Sequence, residues 1–250
     1  MRAAAAVMVV ALLASGTLGC ASAGPDPWEG FNRGIFAFNE TADQYVIEPV
    51  AKGWDFVVPE FAQTAVENVF ENSKAPIQIG NNFLQGEFEE GYLQIWRFLL
   101  NSSFGLGGLI DVADLAGWPD HPEDFGLTLG TWGVPHGPYV VLPIFGASSV
   151  RDTVGLGVDS MSSIYSYFVP VYVPIAARAG ELLNRRAIFL EEIAQSREEA
   201  FDFYVFVRNA YLQNREHRLT GVTAVAPASE PDEDLYYFDE YDEEYDDADE

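Results

Sequence analysis

The sequence predicts a mainly α-helical single domain interrupted by one short glycine- and proline-rich hairpin or loop. Three observations carry this. Apolar residues recur at helical spacing through most of the chain between residues 26 and 221. Serine, aspartate and proline stand repeatedly where helices begin. The stretch from Gly126 to Gly146 changes character, with closely spaced glycine and proline around the β-prone Tyr139-Val140-Val141-Leu142, and Met161 to Tyr172, which mixes serine with aromatics, is ambiguous.

The chain opens with Arg2 and an apolar run from Ala3 to Leu13, followed by small residues. This is the layout of a secretory signal over residues 1–19. Thr17-Leu18-Gly19-Cys20 reads as a lipobox, in which Cys20, the only cysteine, becomes the lipidated first residue of the mature chain. Ala21-Ser22-Ala23 offers an ordinary cleavage pattern instead, which would remove Cys20. Residues 20–25 form a short linker. After Cys20 no run of eighteen apolar residues follows, so no segment reads as a membrane-spanning helix.

Asp26-Pro27-Trp28-Glu29 has the composition of a capping box with proline at the first helical position. Phe31, Ile35, Phe38, Ala42 and Tyr45 then share a helical face, widened by Phe36. Pro49 and Pro59 each open a further helix. The segment after Pro59 carries Phe61, Ala65, Val66, Val69 and Phe70 on one face and is expected to end before Pro76. Gln85 to Ser103 is the next helix, with Phe88, Tyr92, Ile95, Trp96, Leu99 and Leu100 as its stripe. It breaks at Gly105-Leu106-Gly107-Gly108. Ile110 to Leu115 is a short helix on which Asp111 and Asp114 share a face, read as solvated. Pro122-Glu123-Asp124 is another helix start. Gly126 to Gly146 is read as an irregular loop or hairpin. Ser148 or Ser149 caps a helix through about Asp159, Pro174 opens a long helical stretch, and a capping box at Ser196 and Glu199 divides it. The second half runs to about Gly221.

The formal net charge is −26. Residues 222–250 hold an acidic, tyrosine-rich segment whose self-repulsion opposes a packed core, and disorder is expected there; it reads as a solvated extension, the alternatives being a docking segment for a basic partner or a cation-binding tail. The balance excludes nucleic-acid binding, which needs basic surface. It also disfavours electrostatic adhesion to anionic lipid, so lipid contact would use apolar surface and an acyl anchor. His121, His136 and His217 stand far apart without metal-ligand spacing. No G-x-S-x-G elbow and no Walker P-loop is present. No cofactor, metal or catalytic residue is expected.

Several motifs in order resemble one family. Asp26-Pro27-Trp28-Glu29-Gly30-Phe31-Asn32-Arg33 resembles the D-P-x-E-G-F-N-R opening of the MlaA (VacJ) outer-membrane lipoproteins. Asn82-Phe83-Leu84-Gln85-Gly86, Arg97-Phe98-Leu99-Leu100-Asn101 and Gly105-Leu106-Gly107-Gly108-Leu109-Ile110-Asp111-Val112-Ala113 continue the resemblance. Phe125-Gly126-Leu127-Thr128-Leu129-Gly130, Gly137-Pro138-Tyr139-Val140-Val141-Leu142-Pro143 and Arg151-Asp152 complete it. Thr17 and the acidic tail lie outside the family pattern.

The resemblance implies a ring-like, lipid-anchored helical protein facing the periplasm from the bacterial outer membrane. It implies removal of mislocalised phospholipids from the outer leaflet and their transfer to a soluble periplasmic lipid carrier, beside a trimeric porin. Two other classes stay open: a structural envelope scaffold lipoprotein without lipid transport, and a lipid-cleaving enzyme. On the transport reading Phe31, Ile35, Phe36 and Phe38 lie in the leaflet, the alternative being core packing. The segment bearing Gly133, Gly137, Pro138, Tyr139, Pro143 and Gly146 is a mobile gate, the alternative being a static loop.

Overall fold

The computed structural model describes residues 26–220 apart from 164 and 171. The signal sequence, Cys20, the 20–25 linker and the 222–250 tail lie outside the described residues. The described residues are mainly helical, as expected. Helix α1 (Glu29–Ala42) runs through a π-helical turn (Asp43–Ile47) into α2 (Glu48–Val57). The wider turn brings Asp43 and Glu48, five residues apart, to one guanidinium, that of Arg186. Helix α1 begins at Glu29 without a side-chain cap. Asp26 instead accepts from the Asn32 amide at 2.8 Å and from the Tyr204 hydroxyl.

Helix α3 spans Glu60–Gln85 and contains Pro76 in its interior, so the expected stop before Pro76 does not occur. An interior proline costs about 3 kcal/mol. Packing along α4 (Phe88–Ser103) and α9 (Tyr172–Ile188) outweighs that cost. The break falls at Gly86, whose φ of 84° closes α3 in the left-handed region. Then come α5 (Val112–Leu115), capped by Asp111, and α6 (Phe125–Thr131), capped by Asp124.

Helix α6 occupies part of the stretch expected to be irregular. Its Gly126 lies against Gly155 of α7 (Val150–Ser162), where a Cβ on Gly155 would stand 2.3 Å from the Gly126 nitrogen. Here glycine serves close helix packing rather than a turn. The strands β1 (Tyr139–Leu142) and β2 (Gly146–Ser149) form an antiparallel hairpin, and Ser149 caps α7.

After α8 (Tyr165–Phe168) and α9, the chain breaks at Phe189, continues as α10 (Leu190–Glu199) and breaks again before α11 (Phe203–Thr220). Ser196 therefore divides nothing; its carbonyl accepts from Ala200, and Asp202 caps α11 through the Val205 amide.

The packing closes on itself. The hairpin packs on α1 through β1 and on α7 through β2; α7 meets α6, α6 meets α3, α3 meets α9, and α9 meets α2, which returns to α1. A small aromatic core of Tyr139, Val141 and Tyr204 seals the hairpin side, with Phe36 edge-on to Tyr204 at 5.4 Å.

Candidate functional site

The first functional feature is an inversion of polarity. Among the described residues, buried polar and charged side chains outnumber buried apolar ones, while large apolar side chains face outward. Buried polar groups and wide exposed apolar surface are the observations that call for explanation in a globular protein. Helix α4 shows the pattern most plainly. Gly91, Gln94, Arg97 and Asn101 are buried along one face, and Phe88, Tyr92, Trp96 and Leu99 are exposed on the other, Trp96 by 61 %. The expected apolar stripe of α4 exists, but it points out of the protein. On α3, Gln63, Gln78, Asn81 and Asn82 face inward while Phe61 is 77 % exposed.

The stripe of α1 divides. Phe31 and Phe38 are exposed, whereas Ile35 and Phe36 pack half-buried against the Tyr139–Val141–Tyr204 core. Tyr45, Val46, Val50, Phe56 and Val57 continue the exposed apolar surface through the π turn and α2. Among the described residues no helix is long and apolar enough to cross a membrane.

Many of the inward polar groups are partnered with one another, as burial favours. Arg97 donates to the Trp118 carbonyl and, at 2.8 Å, to Asp111. Asp111 also accepts from Asn101 at 2.9 Å, so it is a structural acceptor rather than a solvated face. Arg215 of α11 binds Asp124 in bidentate fashion at 2.6 and 2.9 Å and reaches Asp152 at 2.9 Å. Burial opposes ionisation of Asp152, but Arg215, Tyr211 and Arg151 outweigh it and hold its pKa below the usual carboxylate value.

The second feature is an amphipathic cleft of about 560 Å³ where α3, α4, α6 and α7 converge. Ile77, Leu84, Phe98, Phe125 and Val158 give it an apolar wall. Asn81, Asp159, Ser162 and Ser163 give it a polar one. Phe98 also lines a separate polar cavity of about 90 Å³ that holds Gln94, Arg97 and Asn101. Thr128 donates to the Asn81 carbonyl oxygen at 3.0 Å, which turns the Asn81 amide nitrogen toward Asp159 at 3.1 Å. The Phe125 backbone N–H donates to the other carboxylate oxygen of Asp159 at 3.0 Å. Burial pushes the Asp159 pKa up, against those two donors.

The hairpin residues lie beside α1. Tyr139 is fully buried, and burial with the nearby Asp26 pushes its phenol up to about 12. Gly133, Gly137 and Gly146 all adopt positive φ, which explains glycine at these turns. Pro138 precedes β1, and Pro143 begins the tip, where Ile144 and Phe145 are exposed. Asn39 bridges that tip, donating to the Leu142 carbonyl at 2.9 Å and accepting from the Ile144 amide at 2.8 Å. Among the described residues no group of His, Cys, Asp and Glu is placed to hold a metal ion.

The profile of the MlaA lipoprotein family matches residues 24–218. The chain belongs to that family. It is 37 % identical over 223 residues to the intermembrane phospholipid transport system lipoprotein MlaA of Escherichia coli K12, covering 84 % of this chain and 88 % of that protein. It is 34 % identical over 220 residues to the MlaA of Haemophilus influenzae, covering 86 % and 87 %. A solved structure described as the structural basis for maintenance of bacterial outer membrane lipid asymmetry superposes with a TM-score of 0.70. That match has 36 % identity over 78 % of this chain and 98 % of the other. The MlaA resemblance of the motifs is thus borne out, as is the mainly helical single-domain fold.

The motif residues themselves take structural places. Asn32 clamps the hairpin, Arg97 and Asn101 fill the polar interior, and Asp152 anchors α11. Individual composition missed the cleft because its lining comes from four separated helices. A partial signal existed in α4, where Gln94, Arg97 and Asn101 recur at helical spacing opposite the apolar stripe.

Proposed function

We propose that this chain is an outer-membrane lipoprotein that removes mislocalised phospholipids from the outer leaflet and passes them to a soluble periplasmic carrier. The observation that carries the reading is the inversion of polarity around an amphipathic cleft. An apolar exterior suits contact with acyl chains, since burying such surface from water is favourable at roughly 25 cal/mol per Å². A polar interior lowers the cost of drawing a charged head group out of water. The cleft offers both media side by side, one wall for acyl chains and one for the head group.

Cys20 supplies the lipid anchor in this account, and Phe31 and Phe38 seat α1 in the leaflet. Ile35 and Phe36 back them from the core side rather than touching lipid. In this account the hairpin tip at Pro143 to Gly146 is the part of the gate that moves, by letting go of Asn39, with Gly146 as its pivot and Tyr139 as its fixed root; Gly133, Gly137 and Pro138 lie before that root and shape the turn into it. A trimeric porin beside the chain would hold it at the outer membrane. Transport down a gradient breaks no covalent bond, so no residue is assigned a catalytic role. The names and structure of the relatives support the reading, because theirs describe phospholipid transport and outer-membrane lipid asymmetry.

Lipid extracted with the purified protein and resolved by thin-layer chromatography tests this. Intact phospholipid is expected. Lysophospholipid and free fatty acid would instead identify a lipid-cleaving enzyme, and absence of lipid would identify an envelope scaffold.

A further inference from the structure

We infer that the cleft discriminates phospholipids by head group, with Asp159 receiving the ammonium of a zwitterionic amine lipid in preference to a head group of net negative charge. This rests on the transport reading and goes beyond it by assigning a substrate class. Among the described residues lining the cleft Asp159 alone is ionisable, so they offer an anionic head group no cation.

Three further observations support the assignment. Asp159 is held rigidly as an acceptor: Thr128 fixes the Asn81 amide, Asn81 donates to one carboxylate oxygen and the Phe125 N–H to the other. A carboxylate has about four acceptor sites, so two donors leave room for an incoming N–H. Arg215, whose charge acts on it from a distance without a direct hydrogen bond, is committed to Asp124 and Asp152. Asp124 adds a second negative charge acting on the same carboxylate. Burial already disfavours the lone Asp159 charge, and an ammonium beside it would relieve that penalty. The apolar wall of Leu84, Phe98 and Phe125 stands in the same cleft, where the acyl chains of the same lipid would lie.

An ion pair of this partly solvated kind gives a preference of roughly two- to five-fold. The test uses the full chain in detergent, incubated with mixed micelles holding equal amounts of phosphatidylethanolamine and phosphatidylglycerol. Bound lipid is extracted and quantified by mass spectrometry. The wild type should be enriched in phosphatidylethanolamine by roughly two- to five-fold. Asp159→Asn should return the ratio to that of the micelles.

A second measurement needs no variant. N-acetylated phosphatidylethanolamine, which keeps the phosphate and loses the amine charge, should compete no better than phosphatidylglycerol. A wild-type ratio equal to the input, enrichment surviving in Asp159→Asn, or full competition by the N-acetylated lipid would each overturn the inference while leaving transport intact. Wild-type protein holding no phospholipid at all would remove the transport reading itself.

Discussion

Asn32 holds Tyr139 in place through the backbone: its amide donates to the Tyr139 carbonyl at 2.9 Å while its oxygen accepts from the Val141 N–H at 3.0 Å, all of it buried. Its second amide hydrogen goes to Asp26 at 2.8 Å, so each of these polar groups has a partner. Asn32→Ala leaves a carbonyl and an N–H buried without partners, at about 1–3 kcal/mol each. A loss of about 2–6 kcal/mol of unfolding free energy is expected by denaturant titration in detergent. Asn32→Asp should also destabilise, because a carboxylate cannot donate to the Tyr139 carbonyl.

The two faces of α4 should respond oppositely to polarity. Gln94 is buried and donates to Asp120 at 2.6 Å, so Gln94→Leu removes an internal partner and should destabilise by about 1–3 kcal/mol. Trp96 is 61 % exposed, so Trp96→Gln should leave the fold nearly unchanged but reduce bound detergent, as read by light scattering coupled to size-exclusion chromatography. In a protein with an ordinary aqueous surface, the Trp96 change would leave bound detergent unaltered.

Helix positions were largely legible in the sequence and helix polarity was not. A stripe such as Phe88, Tyr92, Trp96 and Leu99 establishes amphipathicity at a period of 3.6 residues. It does not say which medium lies outside, and Trp96 and Phe61 show that here the apolar side faces out. Pro76 misled because the local cost of proline is visible in sequence while the packing of α3 against α4 and α9 is not. Helix α6 was hidden because Gly126 and Gly130 read as turn residues. In the structure they make room: a Cβ at Gly130 would stand 2.7 Å from Arg151 and Leu219. The charged lattice around Arg215 was invisible because its partners Asp124 and Asp152 lie far off along the chain.

Acid should loosen that lattice. Burial opposes ionisation of Asp124 and Asp152, but the Arg215 contacts outweigh it and lower both pKa values from 3.8. A depressed folded-state pKa means the contribution to stability is complete above the unfolded value and lost as pH falls through the folded one. Thermal stability should therefore fall as pH drops below about 4, the ordinary aspartate range. Arg215→Gln leaves the buried Asp152 with Arg151 and the partly exposed Asp124 with the more distant Arg218, and loses charge-assisted hydrogen bonds that should cost about 1–3 kcal/mol at neutral pH. Its stability should also begin to depend on pH above the range seen in the wild type, where the carboxylates are no longer held low. Melting curves from pH 3 to 8 check both.

The hairpin tip should control flux. Asn39 joins the tip to α1 at Leu142 and Ile144. Cysteines at Asn39 and Phe145 bridged by a short thiol-specific crosslinker should change the rate of lipid transfer between donor vesicles and a soluble acceptor by at least about two-fold, the scale of breaking one such contact. Reduction of a cleavable linker should restore it. A transfer rate unchanged with the crosslink formed would assign the hairpin a static structural role.

The measurement that bears most directly on the central claim is phospholipid exposed on the outer face of cells, read with a membrane-impermeant amine-reactive label. Cells lacking this chain should expose more phospholipid than their parent, and the intact chain should reverse the increase. Equal labelling with and without the chain, in cells holding no second copy, would contradict removal of phospholipid from the outer leaflet.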